Sequence, residues 1–172
     1  GAWSGPVVAA AVRLKSFVQA HGSSTPQNRV TESKILSEIA GSFGIDGWPV
    51  TAIKAFVGHS LAPASADQII NTLGILKNKI IPGIKTIDSI APDVSQENLS
   101  FTLNDTNLEG SAEIGFLNSK GFGGNNATGT VVSPSLTMEM LVNRYGRGDI
   151  KAYYENNKFI AENAASYDTE CF

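Results

Sequence analysis

The chain has 172 residues, 42% hydrophobic and 17% charged, with a net charge of −3, enough for one domain with a genuine core. Its 13 lysines and arginines form no stripe, which argues against nucleic acid as a partner, and the acidic balance argues against an anionic membrane surface. No apolar stretch reaches the roughly 20 residues of a membrane span.

The opening Gly1–Pro6 segment has neither the basic region nor the apolar core of a signal peptide, so a cytoplasmic setting is expected. Three N-x-Ser/Thr triplets, at Asn98, Asn104 and Asn126, carry no weight in that setting. Val7 to Lys15, rich in Ala and Val, reads as a buried or half-buried helix. Phe17 to Ala20 reads as a strand that stops at His21, and Gly22 to Asn28 has loop chemistry. A helix should follow from about Glu32 to Phe43, capped by Asn28 or Thr31, with Ile35, Leu36, Ile39 and Phe43 on its apolar face and Gly44 closing it. Asp46–Pro49 is a turn and Val50 to Ile53 a second strand. Ala64 to Lys77 should form a helix with Ile69, Ile70, Leu73 and Leu76 inward, Ser65 and Asp67 suiting its N-terminal dipole end. Lys79–Gly83 is a strand or extended turn, Asp88 to Leu99 a polar loop, and Phe101 to Leu103 a short strand. Ala112 to Leu117 and Thr128 to Val132 flank a Gly-rich loop and imply an antiparallel pair. Beyond Pro134 the pattern turns helical, over Leu136–Tyr145 and Asp149–Glu162, and Ala164 to Phe172 carries no clear signal. The order of elements predicts an α/β fold, a mixed sheet covered by helices, with a helical extension after the sheet.

The chain has only two histidines, each at the end of an apolar run and each beside a glycine: Phe17-Val18-Gln19-Ala20-His21-Gly22 and Ala55-Phe56-Val57-Gly58-His59-Ser60. A single histidine at a strand end is more often structural than catalytic, but strand ends are where sites of such sheets collect. Lys54 interrupts the second apolar run, so it should be partly buried and want a partner, and a cation there keeps a nearby imidazole neutral. The loop Gly121-Phe122-Gly123-Gly124 lacks the helix and acidic residue of a dinucleotide site and the Lys-Ser/Thr of a P-loop. It reads as a mobile loop carrying one aromatic, as an oxyanion site of backbone N–H groups, or as a hairpin bend that needs positive φ. Two histidines 38 positions apart, without acidic residues at ligand spacing, do not make a metal site. There is no G-x-S-x-G elbow, and the one cysteine, Cys171, excludes an internal disulfide and lies far from both histidines in sequence.

Three ordered motifs resemble the C-terminal half of a β-ketoacyl-acyl carrier protein synthase, of the condensing-enzyme, thiolase-like superfamily. Ala20-His21-Gly22-Ser23-Ser24-Thr25-Pro26 with Glu32 is similar to A-H-G-T-x-T-P…E. Lys54-Ala55-Phe56-Val57-Gly58-His59 is similar to K-x-x-x-G-H, and Asn118-Ser119-Lys120-Gly121-Phe122-Gly123-Gly124-Asn125-Asn126 to N-S-F-G-F-G-G-x-N. A thiolase would instead carry a cysteine in the Gly-rich loop and G-H-P. The resemblance implies a thiolase-like half domain over residues 1–134, with 135–172 as the helical extension.

It also implies a decarboxylating Claisen condensation of a malonyl thioester with an acyl thioester in fatty acid or polyketide synthesis. His21, His59 and Lys54 would be the catalytic set. Ser23 and Thr25 would hold the pantetheine arm, and Phe122 would gate the acyl pocket with Gly121 and Gly123 as hinges. Glu32 would be structural. No cofactor would be bound, since phosphopantetheine arrives on the acyl carrier protein. The other implied partners are the N-terminal half of the same synthase, which supplies the nucleophilic cysteine, and a second copy in a homodimer. This chain departs from the pattern at four places. Ser23 replaces threonine, and Lys120 replaces an aromatic. Gln68 stands where an acidic residue is expected nine positions after His59, with Asp67 beside it. Arg29 stands where many members carry Asp. The competing readings are a non-catalytic chain-length or carrier-protein-binding subunit, and an unrelated α/β domain with structural histidines. A half domain should also expose apolar surface and associate.

Overall fold

Ser16-Phe17-Val18-Gln19 is buried along its whole length, the environment of a strand covered by helices on both faces. In the computed structural model, which describes residues 6–108 and 112–171, it is β1, the middle strand of a five-stranded sheet ordered β4-β2-β1-β6-β7. The strands are β1 Ser16–Gln19, β2 Trp48–Thr51, β4 Leu99–Phe101, β6 Ile114–Lys120 and β7 Asn126–Val132; β3 Ile80–Ile81 and β5 Thr106–Asn107 pair separately. β1 runs parallel to both β2 and β6, and β2 parallel to β4. β6 and β7 form the expected antiparallel pair, in register from Ile114–Val132 to Lys120–Asn126. The helices are α1 Pro6–Lys15, α2 Pro26–Ser42, α3 Lys54–Val57, α4 Ala64–Asn78, α5 Pro134–Tyr145 and α6 Arg147–Cys171.

Alternation along β1 divides the core. Val18 joins Leu36, Ala40, Trp48 and Val50 in one cluster, which includes the inner face of α2. Phe17 joins Ile75, Leu76, Ile81 and Ala112 in the other, which includes α4. Helix α4 lies so close to β6 that a Cβ on Gly115 would sit 2.5 Å from Thr72 Cγ2 and 2.9 Å from Phe17 Cζ. Gly115→Ala should therefore destabilise the chain by about 1–3 kcal/mol through overpacking, read as a lower Tm in thermal unfolding; an unchanged Tm would show that Thr72 and Phe17 yield freely.

Several local expectations are corrected. Helix α2 starts earlier than expected, with Thr25 as N-cap and Pro26 in its first turn, because proline's fixed φ suits that position. The short helix α3 was not anticipated; it takes up Lys54–Val57 and ends at Gly58. Ile35, Ile39 and Phe43 expose 51%, 39% and 65% of their surface, and Ile69, Ile70 and Leu73 expose 43%, 70% and 54%. The buried face of α4 is instead Ala64, Gln68, Thr72, Ile75 and Leu76. Periodicity reports that a face is apolar, not which surface will cover it.

The chain divides into two compact units between Ser133 and Pro134. In the second unit α5 and α6 join at Gly146, and α6 continues to Cys171, through the stretch that carried no signal. None of its residues is buried. No described helix is long and apolar enough to cross a membrane.

Candidate functional site

The parallel strands bring their C-terminal ends to one edge of the sheet, where loops of such folds hold their ligands. His21 follows β1 by two residues, Lys54 and His59 come from the segment after β2, and Asn118 to Lys120 close β6. All belong to the first unit. The His21 and His59 rings meet edge to face, with centroids 5.3 Å apart and planes at 79°. His21 is buried and His59 exposed.

A single carboxylate holds the His21 turn. Glu32, one turn into α2 and only 4% exposed, accepts the His21 N–H at 2.8 Å and the Gly22 N–H at 3.1 Å. It also accepts the side-chain amides of Asn28 at 3.0 Å and Asn118 at 2.6 Å. Four donors on one anion satisfy a buried charge that would otherwise be costly. The turn itself needs glycine: Gly22 has φ +56°, and a Cβ there would lie 2.7 Å from that of Ala52.

Both rings have a fixed tautomer. The backbone N–H of Lys120 donates to His21 Nδ1 at 3.2 Å, and that of Leu61 donates to His59 Nδ1 at 3.1 Å. A nitrogen that accepts carries no proton, so each ring bears its proton on Nε2. The arrangement offers two imidazole N–H donors side by side. Lys54 is a cation close enough to act on the His21 ring. Its Nζ is buried but, against the expectation of a partner, makes no hydrogen bond among the described residues. Burial pushes its pKa down, against the opposing pull of Glu32 and Asp67. Burial likewise lowers the pKa of His21 below the usual imidazole value, and the Lys54 charge lowers it further while Glu32 pulls the other way. Imidazole neutrality beside Lys54 was expected from the sequence, and the direction is the same here. Lys54→Met should therefore move the His21 titration midpoint upward, toward the ordinary value of 6.5. NMR titration of the two histidines reads this directly; a midpoint that stays or falls would mean that Lys54 does not govern the ring.

The remaining expected residues lie on the loop after His21 and in the β6–β7 hairpin. Ser23 is half-buried and Thr25 exposed at the start of α2. Phe122 is 96% exposed in the β6–β7 hairpin, where Gly123 and Gly124 have φ of +81° and +82°, as the hairpin-bend reading required; Gly121 donates its N–H to Asn125 O. Arg29 makes a triple-bonded pair with Asp93. Ser60 donates to Asp67. Beside Glu32 a cleft of about 620 Å³ runs along α2, lined by Ile35, Ile39, Phe43, Trp48 and Phe116, with Asn118 and Lys120 at its polar end. That cleft is what leaves the apolar side chains of α2 uncovered. Sequence reasoning missed the roles of Asn28 and Asn118 on Glu32, and of the Lys120 and Leu61 N–H groups on the rings. Backbone donors leave no trace in residue type. Among the described residues, no three His, Cys, Asp or Glu side chains gather where they could hold a metal ion.

Residues 10–88 match the beta-ketoacyl synthase, C-terminal domain. Over 157 residues the chain is 57% identical to beta-ketoacyl-[acyl-carrier-protein] synthase FabY of Pseudomonas aeruginosa, which takes in 91% of this chain and 25% of that protein. The chain carries a β-ketoacyl synthase C-terminal domain. The crystal structure of the ketosynthase FabY from P. aeruginosa superposes on this chain with a TM-score of 0.86 at 56% identity, covering 94% of this chain and 25% of that one. A 3-oxoacyl-[acyl-carrier-protein] synthase 1 of Haemophilus influenzae is 33% identical over 115 residues, 65% of this chain and 26% of that protein. The fold is thiolase-like, and the chain spans about a quarter of the length of these relatives.

Proposed function

We propose that this ketosynthase domain supplies the decarboxylation half of an active site for a Claisen condensation between a malonyl thioester and an acyl thioester. The observation that carries the reading is the pair of Nε2–H donors, each fixed by a backbone N–H on its Nδ1. His21 and His59 hydrogen-bond the malonyl thioester oxygen. The bond to the carboxylate breaks, CO₂ leaves, and the electron pair spreads onto that oxygen as an enolate, where preorganised donors act most strongly. Lys54 holds the His21 ring neutral, so that it donates without transferring its proton.

The enolate carbon then attacks the acyl thioester carbon. A carbon–carbon bond forms and the thiolate of a cysteine leaves. On this reading the cysteine belongs to the N-terminal half of the synthase. Phosphopantetheine on an acyl carrier protein brings the malonyl group, and Ser23 and Thr25 hydrogen-bond its arm. No resident cofactor takes part. Phe122 gates the acyl pocket, hinged at Gly121 and Gly123. Glu32 has a structural part, holding the His21 turn.

The test is to supply the longer protein with malonyl and acyl carrier-protein thioesters and to measure CO₂ and β-ketoacyl product together. Equal release of both is the expected result. A protein that binds the carrier but yields neither would overturn the reading in favour of a non-catalytic subunit.

A further inference from the structure

Gln68 lies on the buried face of α4 with no solvent exposure. Its side-chain Nε2 donates to the carbonyl oxygens of Ala20 at 3.0 Å, Gln19 at 3.3 Å and Asn118 at 3.0 Å. An amide has two N–H groups for these three acceptors, so one is shared. The environment fixes its orientation, because only the NH₂ end can face three carbonyls; Oε1 makes no hydrogen bond among the described residues.

The two backbones it joins are those that set His21. Ala20 is the residue before His21, and Asn118 lies two before Lys120, whose N–H holds His21 Nδ1. The register of β1 with β6 ends at Gln19–Leu117, just short of this point. Beyond it, side chains bridge the strands from both faces: Glu32 from α2, through His21 N–H and Asn118, and Gln68 from α4. A carboxylate at position 68 could not do this, since it would turn lone pairs toward three carbonyl oxygens.

We propose that Gln68 is a positioning residue: by clamping the Ala20 and Asn118 carbonyls it sets the gap across which the Lys120 N–H reaches His21 Nδ1, and so keeps the His21 proton on Nε2. Its effect on the reaction rests on the reading of His21 as a donor to the thioester oxygen. Its effect on the tautomer does not.

The full 172-residue chain has only two histidines, so ¹⁵N-histidine labelling resolves both rings. Gln68→Met keeps the length of the side chain and removes both N–H groups. The expected spectrum shows His21 shifted from the Nε2–H form to a tautomer mixture. His59 keeps its form, because its donor is Leu61 in its own loop. An unchanged His21, or an equal change at both rings, in a chain with wild-type circular dichroism overturns the proposal. In the longer protein the same substitution should lower kcat for malonyl decarboxylation roughly 10- to 100-fold, with KM for the carrier thioester within about twofold, as expected for a misplaced donor. A shifted His21 tautomer together with an inactive wild-type protein would sink the condensation reading and support the clamp; lost activity with an unshifted tautomer would sink the clamp alone. Should Gln68→Met not fold, the wild-type chain decides. Slow hydrogen exchange of the Gln68 amide, with a through-bond coupling from Lys120 N–H to His21 Nδ1, supports the clamp, and exchange as fast as that of exposed Gln27 overturns it.

Discussion

Replacing His21 with alanine in the longer protein should lower malonyl-thioester decarboxylation about 10²- to 10³-fold, the usual loss when one donor to a developing oxyanion is removed. His59→Ala should cost a similar factor, because its Nε2–H is fixed by an equivalent backbone donor. The double variant should lose less than the product of the two, since the rings stand 5.3 Å apart and serve one oxygen. His21→Gln keeps an N–H donor in the place of the imidazole and should retain more activity than His21→Ala. The measurement is CO₂ release from a malonyl carrier thioester, with folding checked in parallel. Full activity in His21→Ala would remove the imidazole pair from the mechanism. Because His21 titrates below the ordinary imidazole value, the acid limb of the wild-type profile should also lie below pH 6.5, where protonation begins to turn an N–H donor that is also an Nδ1 acceptor into a cation that cannot accept the Lys120 N–H.

Glu32→Ala should be among the most destabilising single substitutions in this chain. It removes the acceptor of four hydrogen bonds and leaves the buried His21 N–H and the half-buried Gly22 N–H without a partner. Removing one member of a buried, charge-assisted network costs about 3–5 kcal/mol as a whole, the figure expected here. For a chain of this size that lowers Tm by roughly 10 °C. Glu32→Gln keeps one oxygen acceptor but turns an NH₂ group toward N–H donors, so it should fall between wild type and Glu32→Ala. Thermal unfolding of the three chains gives the order. A Tm within about 2 °C of wild type for Glu32→Ala would mean that water replaces the carboxylate at little cost.

How much of this was legible in the sequence differs from element to element. The β6–β7 hairpin was legible because its signal is local: two apolar runs around Gly123 and Gly124, which take the positive φ that such a bend demands. Strand β1 and the end of α2 were legible for the same reason. The inward faces of α2 and α4 were not. The apolar side chains Ile35, Ile39, Ile69 and Ile70 stay partly exposed, Ile35 and Ile39 lining the cleft beside Glu32. Gln68 and Thr72, polar by composition, line the buried side of α4. Burial of a glutamine depends on three carbonyls from two distant strands, and no window of α4 contains them.

The sequence by itself determined the chemistry available: two histidines, Lys54 five residues before the second, a glutamate eleven residues after the first, and no cysteine near any of them. The order and spacing of these residues carried the family resemblance, since a motif is a property of residue type along the chain. Only the tertiary structure decided that the two rings meet, that each has its proton on Nε2, and that Glu32 and Gln68 hold the His21 turn from opposite faces of the sheet. Those are relations among backbone N–H and carbonyl groups. Nearly every residue carries both, so their pairing is set by where the strands end and not by which side chains they bear.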